Sequence, residues 1–395
     1  MQAIAELGRR VDERWRAAGY RAGQFTQIAA AELGQLMNAG APSGDEIARW
    51  AIDTVELPRQ ANVPASFGQP PITLYRTDKF YIEALYWLDG TTAIHDHAFA
   101  GAFAVLGGSS LHSTFQFEQT DYVDDRLRLG TLTRKASELL EEGAVRPIVA
   151  GRSFVHSLFH LDRPSVSLTV RTYADADVYP QLEYRAPGLA MDSSYIPEGP
   201  TRRLAVLDML ADSRSGEFVP ALRAALEKAD LLQCFRAIEQ TAVHPYASRE
   251  LPSAFRIVRD RFPEQADLVQ RAVEETLRQR NIHGRRELIH QSAHRFLLAL
   301  LLNIPDRDDL LAMVTTRTGC DDPIAQVVTW MRELAADGAG TLGISLDDSG
   351  LATFEGMLRG WSEETICKQP GTNLVSVAKW GLTLPRTHLL RGLLH

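Results

Sequence analysis

Two histidines one residue apart are the first residues of this chain whose type and spacing suggest chemistry. They are His95 and His97 in the stretch IHDHAFAGAF, residues 94–103, with Asp96 between them. Side chains alternate faces along a β-strand, so the two histidines would share one face and Asp96 would point to the other. The pattern therefore predicts either half of a metal site or two polar residues on one face of a strand.

A third histidine is needed to complete a metal site. The best candidate is His156, in the later stretch GRSFVHSLFHLDRPSVSLTVRTY. Three neutral imidazoles would leave a divalent iron with its full charge and with three open positions. Open positions favour a catalytic over a structural site, because structural metal sites are coordinatively closed.

These stretches resemble the cupin family. LDGTTAIHDHAFAGAFAVLGGS is similar to the first cupin motif, and AGRSFVH is similar to the second, in which a glycine turn precedes the third histidine. KFYIEALYW, IHDH and SVSLTVRTY together resemble the cysteine dioxygenase branch. The resemblance covers roughly residues 70–180, less than a third of the chain. It implies a β-barrel in which His95, His97 and His156 bind iron and O2 is the co-substrate.

Position 101 distinguishes this chain from many cupins, which carry a glutamate ligand there. Gly101 in its place implies a neutral three-histidine site like that of the thiol dioxygenases. The resemblance also places Arg76, in LYRTDKF, where the family has an arginine for the substrate carboxylate. A guanidinium can bind a carboxylate through two parallel hydrogen bonds.

The family's outer Ser-His-Tyr relay would fall on SVSLTVRTY. Ser167 is present, Thr169 occupies the histidine position, Tyr173 is displaced along the chain, and Arg171 lies nearer the expected place. The resemblance therefore leaves open a thiol or a different metabolite as the substrate. Arg76 or Arg171 at the wall of the pocket would orient an acidic substrate.

Two further histidines lie close to these motifs. His160 is four residues beyond His156, so it shares the strand face of His156. An outer-sphere group, a substrate contact and a fourth ligand are the interpretations left open for His160. His112, in SSLHSTF, is interpreted as a surface or core histidine.

The pattern along the chain predicts an α+β protein: a cupin-type β-barrel (jelly roll) with short N-terminal helices and an all-α C-terminal domain. Residues 1–65 have helical spacing, and Ser43 is a candidate N-cap. Short runs rich in Val, Thr, Tyr and Phe then predict the strands of a barrel over 66–185. Residues 186–200 are predicted to be a linker, and 201–395 a helical domain.

Composition excludes some classes of function. The 395 residues carry a net charge of −8, which argues against nucleic-acid binding because no basic excess is available to neutralise phosphates. The longest apolar run, FLLALLLNI at 296–304, is too short to cross a membrane. The three cysteines, Cys234, Cys320 and Cys367, form no CxxC pair. We expect a cytoplasmic protein.

Three functions are compatible with these observations. The first is an Fe(II)-dependent dioxygenase or oxygenase that oxidises a small carboxylate-bearing substrate, such as a thiol or an amino acid. The second is a non-oxidative isomerase or lyase that uses zinc, nickel or manganese as a Lewis acid; copper is a further alternative to iron. The third is a ligand-sensing barrel with a helical partner-binding domain. The helical domain would cap the barrel, bind a carrier or partner protein, or form a homodimer.

Overall fold

The chain combines three helices, a β-barrel and a long helical region. The computed structural model describes residues 1–61, 68–88, 90, 92–175, 177–336 and 339–394, with only the backbone described at 339, 340, 388, 391 and 392. Their order along the chain confirms the predicted α+β class. The predicted boundary between residues 65 and 66 lies outside the described residues.

The strands and helices have the following bounds. The strands are β1 (Pro71–Arg76), β2 (Phe80–Trp87), β3 (Ile94–His97), β4 (Gly101–Gly107), β5 (Ser110–Asp124), β6 (Leu127–Leu140), β7 (Val145–Ile148), β8 (Gly151–His160), β9 (Ser165–Thr172), β10 (Leu182–Arg185) and β11 (Leu189–Asp192). The helices before and after them are α1 (Gln2–Ala17), α2 (Ala22–Ala39), α3 (Gly44–Asp53), α4 (Glu198–Asp212), α5 (Phe218–Lys228), α6 (Leu231–Thr241), α7 (Pro245–Ser248), α8 (Leu251–Arg261), α9 (Ala266–Arg285), α10 (Ser292–Asn303), α11 (Arg307–Thr318), α12 (Pro323–Ala336), α13 (Ala339–Leu342), α14 (Asp348–Arg359), α15 (Glu363–Cys367), α16 (Leu374–Thr383) and α17 (Arg391–Leu394). Short 3-10 helices span Arg286–Leu288 and His388–Leu390.

The strands form two facing sheets. One has five strands in the order β1-β2-β9-β4-β7, and the other closes on itself in the order β10-β11-β6-β5-β8-β3. Neighbouring strands are antiparallel throughout these pairings, as a jelly roll requires. Side chains from the inner faces of both sheets enclose the interior of the barrel.

The N-terminal helices cover the outer face of the five-stranded sheet. Ile4, Leu7 and Phe25 share one apolar core with the even-numbered residues of β2 and β9, such as Ile82 and Leu168. Strand β2 is buried at all eight positions because the helices cover one face and the barrel interior lies on the other. This double burial explains why FYIEALYW shows no apolar–polar alternation.

A capping box begins α3, which confirms the N-cap predicted at Ser43. The Ser43 hydroxyl accepts a hydrogen bond from the Glu46 backbone N–H, and the Glu46 carboxylate accepts one from the Ser43 N–H. These bonds satisfy backbone donors that have no partner within the helix.

The C-terminal helices cover the outer face of the second sheet. Leu111, Phe159 and Leu161 of the barrel belong to the same apolar core as α10, α12 and α14. Leu127 and Leu189 belong to a second core, shared with helices from α4 to α9. Because these cores contain barrel and helix residues together, removal of the helices would expose apolar side chains of the sheet.

Two buried arginines fasten the helical region to the barrel. Arg286 is 1% exposed, and its guanidinium donates to the backbone carbonyls of Gly90 and His160. It also lies over the Phe159 ring, 4.5 Å from the ring centroid. Arg295, fully buried, donates to the carbonyl of Leu88, the residue directly after β2, at 3.4 Å and to that of Ile289 within the helical region at 2.7 Å.

Part of the segment predicted as a linker, residues 186–200, forms a strand of the barrel. Leu189–Asp192 forms β11, which pairs with β10 on one side and β6 on the other. All four residues of β11 are buried. A run of four residues between glycine and serine has too little length to show a period of two, so the pattern of the sequence did not reveal this strand.

Among the described residues, no helix is both long and apolar enough to cross a lipid bilayer.

Candidate metal site

The three predicted ligand histidines meet inside the barrel. One ring nitrogen each from His95, His97 and His156 lies within 4.8 Å of the other two. In the antiparallel register His95 of β3 faces His156 of β8, and His97 lies on the same face as His95. All three side chains are buried, with 2–5% exposure. IHDH therefore forms a strand, and its two histidines share one face with His156 in a group that could hold a metal ion.

Hydrogen bonds aim the Nε2 atoms of two of these rings toward the centre of the group. His95 Nδ1 lies 2.7 Å from the Ala93 carbonyl, and His156 Nδ1 lies 3.0 Å from His112 Nε2. The remaining nitrogen of each ring is then free to bind a metal. His156 Nε2 lies 2.8 Å from His97 Nε2. Metal–imidazole distances of about 2.1 Å at right angles give nitrogens about 3 Å apart, so this spacing fits a shared ion.

Burial keeps the three imidazoles neutral. It lowers the pKa of His95 and lowers the pKa values of His97 and His156 well below the usual range, and the charge of neighbouring imidazoles lowers the latter two further. A neutral imidazole carries the lone pair that a metal requires. The donor set, three neutral nitrogens with no carboxylate among the described residues that form the group, suits a divalent transition metal.

Asp96 serves the opposite face of the strand, as the alternation predicts. Its carboxylate accepts hydrogen bonds from the Leu182 backbone N–H and the Tyr184 hydroxyl, both at 2.8 Å. Both partners belong to β10, so Asp96 fixes the ligand strand to its neighbour. Burial raises the pKa of Asp96.

Close packing of the backbone explains the glycine at position 101. A Cβ built on Gly101 would lie 2.2 Å from the Val170 carbonyl oxygen and 3.0 Å from the Arg171 Cα. Neither backbone atom can move aside without displacing β9. No side chain, and hence no glutamate ligand, is compatible with this approach of β4 to β9. Gly151, at the start of β8, has φ +84°, a conformation that favours glycine.

The histidines line a small cavity of about 40 Å³ inside the barrel. Its apolar walls include Trp87, Phe99 and Phe103, and its polar wall includes Glu83 and Arg171. This volume has room for about three water molecules. A larger cavity of about 580 Å³ lies on the outer side of the same strands, between the barrel and the helices.

Glu83 and Arg171 form an ion pair in the cavity wall. Arg171 Nη1 lies 3.5 Å from Glu83 Oε1, and the Arg171 guanidinium carbon lies 3.3 Å from the centroid of the Phe99 ring. Burial raises the pKa of Glu83, and Arg171 opposes that shift. Burial also lowers the pKa of Arg171.

Of the residues predicted to contact a substrate, Arg171 is the one that lines the cavity. Arg76 and Tyr173 lie outside the cavity lining: the Arg76 guanidinium carbon is 5.4 Å from the Tyr173 ring centroid, and the Tyr173 hydroxyl donates to the Thr77 carbonyl. The Tyr173 ring packs on Tyr81, which packs on Arg171. The two predicted residues are therefore connected to the cavity through a stack of side chains.

His160 lies beyond the three ligand histidines along β8. Its ring stacks on Trp87 at 4.5 Å between centroids, and its Nδ1 lies 2.9 Å from the Ser110 hydroxyl. His160 does not belong to the group of ligand atoms among the described residues. An outer-sphere place is the interpretation that agrees with this geometry.

Two residues near the site were not identified from the sequence. The sequence does contain an indication for Glu83, because it is the only charged residue in the apolar strand FYIEALYW. His112, interpreted as a surface or core histidine, instead contacts the ligand His156 and the carboxylate of Glu138. The spacing along one strand could not reveal that contact, because it depends on the register between β5 and β8.

Together the jelly roll and the site define a cupin-like double-stranded β-helix with a buried three-histidine cluster. No protein-family model matches the chain. No curated protein matches it either.

Solved structures with partial similarity include enzymes of several kinds. Hydroquinone 1,2-dioxygenase from Sphingomonas sp. TTNP3 is 15% identical, with 27% of this chain and 67% of that chain covered and a TM-score of 0.22. The DMSP lyase DddQ from Ruegeria pomeroyi DSS-3 is 12% identical, with 38% and 74% covered and a TM-score of 0.22. An oxalate oxidase is 15% identical, with 39% and 73% covered and a TM-score of 0.22. Likeness at this level carries no argument about function.

Proposed function

We propose that this protein is a mononuclear non-haem iron oxygenase of the cupin type, which oxidises a small carboxylate-bearing substrate with O2. The observation that carries the proposal is the donor set: three buried imidazoles lining a small cavity that also contains one guanidinium. A divalent iron held by three neutral ligands would retain its charge and its open positions, and would supply the site at which substrate and O2 meet.

Arg171 is the group that would hold the substrate carboxylate. It is the only arginine or lysine among the described residues that line the cavity, and its planar guanidinium can form two parallel hydrogen bonds to a carboxylate. Its Nε atom is buried without a hydrogen-bond partner among the described residues. The contact with Phe99 holds the guanidinium in one orientation.

Glu83 would handle the proton of the substrate. A substrate carboxylate bound to Arg171 would place a second negative charge beside the ionised Glu83 and so make the Glu83 carboxylate a stronger base. The Glu83 carboxylate can then accept the proton that a thiol or hydroxyl group of the substrate gives up. The small volume of the cavity and its aromatic walls favour a substrate with few heavy atoms.

Glu83 also supports a second candidate, a non-oxidative metal-dependent isomerase or lyase. A buried carboxylate with a raised pKa is suited to abstract and return a proton without an oxidant. Zinc, nickel or manganese would serve as the metal of the isomerase or lyase. Copper is a further alternative to iron in the three-histidine site. Turnover in the complete absence of O2 would favour this candidate.

Metal content and oxygen uptake test the proposal. The protein is purified without O2, its metal per chain is measured, and Fe(II) is added back to the metal-free form. Uptake of O2 is then followed with a panel of thiol, amino and hydroxy carboxylates. We expect about one metal per chain, O2 uptake with at least one carboxylate, and loss of both in His97→Ala.

Other outcomes would redirect the assignment. No uptake across the panel by iron-loaded protein would contradict the oxygenase. Tight binding of a small carboxylate without turnover would instead favour a ligand-sensing barrel. The cytoplasmic location, and a homodimer or a carrier protein bound by the helical region, stay predictions from the sequence.

A further inference from the structure

A chain of three side chains leads away from the ligand His156. His156 Nδ1 lies 3.0 Å from His112 Nε2, and His112 Nδ1 lies 2.9 Å from Glu138 Oε1. Arg146 binds the same carboxylate at 2.8 Å through Nε and at 2.5 Å through Nη2. The three residues His112, Glu138 and Arg146, called here the His156 support, come from strands β5, β6 and β7.

The identity of each group decides where the protons lie. Hydrogen bonding from Arg146 lowers the pKa of Glu138 to about 2, so its carboxylate is ionised at neutral pH and only accepts. The His112 side chain is 2% exposed, and burial disfavours the charged ring, so we assign His112 the neutral form with one N–H. That hydrogen lies on Nδ1, which faces the carboxylate, and Nε2 of His112 is therefore an acceptor.

The same reasoning extends to His156. Because His112 Nε2 accepts, His156 Nδ1 must carry the hydrogen that it receives. The lone pair of His156 then lies on Nε2, which points toward His97 Nε2 at 2.8 Å. Nδ1 of His97, by contrast, is buried and has no hydrogen-bond partner among the described residues.

We propose that His112 is a positioning residue, which together with Glu138 fixes the tautomer and orientation of His156 so that its Nε2 lone pair faces the metal. The effect is greatest for His156, because neither His95 nor His97 has a side-chain partner of this kind in the part of the chain that the structure describes. His95 is oriented by a backbone carbonyl instead. Outer partners of ligand histidines commonly change metal affinity 10–100-fold, roughly.

Two measurements test the His156 support. The first is the tautomer of His156 in metal-free protein, read from long-range 15N–1H correlations of labelled histidines. We expect the Nδ1–H form in the unmodified protein and a mixture of forms in His112→Ala. The second is affinity for a divalent metal, measured by competition with a chelator, for which we expect a loss of about 10-fold or more in His112→Ala.

Two further variants separate positioning from packing. In His112→Gln the amide oxygen can accept from His156 and the amide N–H can donate to Glu138, so we expect most of the affinity and the tautomer to be retained. Ser113→Ala is the matched control, because Ser113 is the next residue of β5 and its hydroxyl bonds Ser137, 2.8 Å away. We expect no change in this control.

The proposal would be overturned if His112→Ala left both the tautomer and the affinity unchanged. It would also be overturned if His112→Gln lost as much affinity as His112→Ala, since packing alone would then explain the loss. The proposal rests on metal binding by the three histidines. Should the unmodified protein bind no metal, the proposed function fails, whereas the tautomer of His156 still decides the role of His112.

Discussion

Glu83 and Arg171 are joined by an ion pair inside the barrel, on neighbouring strands of the five-stranded sheet. Their side chains are 2% and 15% exposed. Across these strands Glu83 faces Thr169 and Arg171 faces Tyr81, so the pair is diagonal. A charge buried so deeply is stabilised by its partner, and removal of one partner leaves the other without compensation.

Arg171→Met is expected to lower the free energy of unfolding by about 3 kcal/mol at neutral pH, because it leaves the Glu83 carboxylate buried and unpaired. Without Arg171, the pKa of Glu83 rises further above its value in the unfolded chain. Stability from the neutral carboxyl is present at low pH and is lost as pH rises through the folded pKa. The destabilisation measured by urea unfolding should therefore shrink as pH falls.

The double variant Arg171→Met with Glu83→Gln is the control for this prediction. It removes both charges, so its stability should exceed that of Arg171→Met alone at neutral pH. Equal stability of the single and double variants would show that Glu83 is not the source of the loss.

Gly101→Ala is expected to destabilise the protein by about 3 kcal/mol, because the added methyl group would overlap the backbone of β9. Gly107→Ala on the same strand is the matched control, since nothing lies within 4 Å of a Cβ there. Thermal unfolding of the two variants provides the measurement. Similar midpoints for both would contradict the close approach of β4 to β9.

Metal-free protein is expected to lose stability as pH falls below about 6.5, the ordinary pKa of histidine. Burial lowers the pKa values of His95, His97, His156 and His160 in the folded state. The unfolded chain therefore binds more protons than the folded chain in acid. Each such histidine contributes stability that is complete above its unfolded pKa, and it is lost at up to about 1.4 kcal/mol per pH unit below it.

His160→Gln isolates one of these contributions. Between pH 6 and 5, the free energy of unfolding of this variant should fall less steeply with decreasing pH. The slope should be smaller by up to about 1.4 kcal/mol per pH unit, the contribution of one histidine. An unchanged slope would mean that His160 takes up a proton in the folded state.

Arg286→Met is expected to cost about 3 kcal/mol, because the carbonyls of Gly90 and His160 each lose a buried donor. Arg332→Met, an exposed arginine in α12, serves as the control and should change stability by less than about 0.5 kcal/mol. Urea unfolding of both variants tests how firmly the helical region is attached to the barrel. A small effect of Arg286→Met would indicate that the apolar cores alone hold the two parts together.

The three-histidine group was predictable because the placement of His95 and His97 depends on local geometry and the sequence around His156 resembles a known motif. The period of two places His95 and His97 on one face of a strand and Asp96 on the other, whatever the rest of the fold. The glycine in AGRSFVH, ahead of His156, indicates a turn that leads into a strand. The α+β class followed from changes in hydrophobic period along the chain. These features require little knowledge of which strands are neighbours.

The remaining parts of the site depend on register between distant strands. The pairing of Glu83 with Arg171, and the contact of His112 with His156, arise only once β2 meets β9 and β5 meets β8. Arg76 and Arg171 were equal candidates in the sequence for the same reason. Strand β11 was missed because four residues are too few to show a period.

The strand that carries His95 and His97 is hydrogen-bonded along both sides, to β8 and to β10. His95 thus has a paired strand on each side, and the Asp96 side chain adds hydrogen bonds to β10. The ligands are consequently arranged by the polypeptide itself, and the barrel can be completed before any ion arrives. Loading would then be a late event, in which the supply of metal in the cell, more than the folding of the chain, selects the ion that enters.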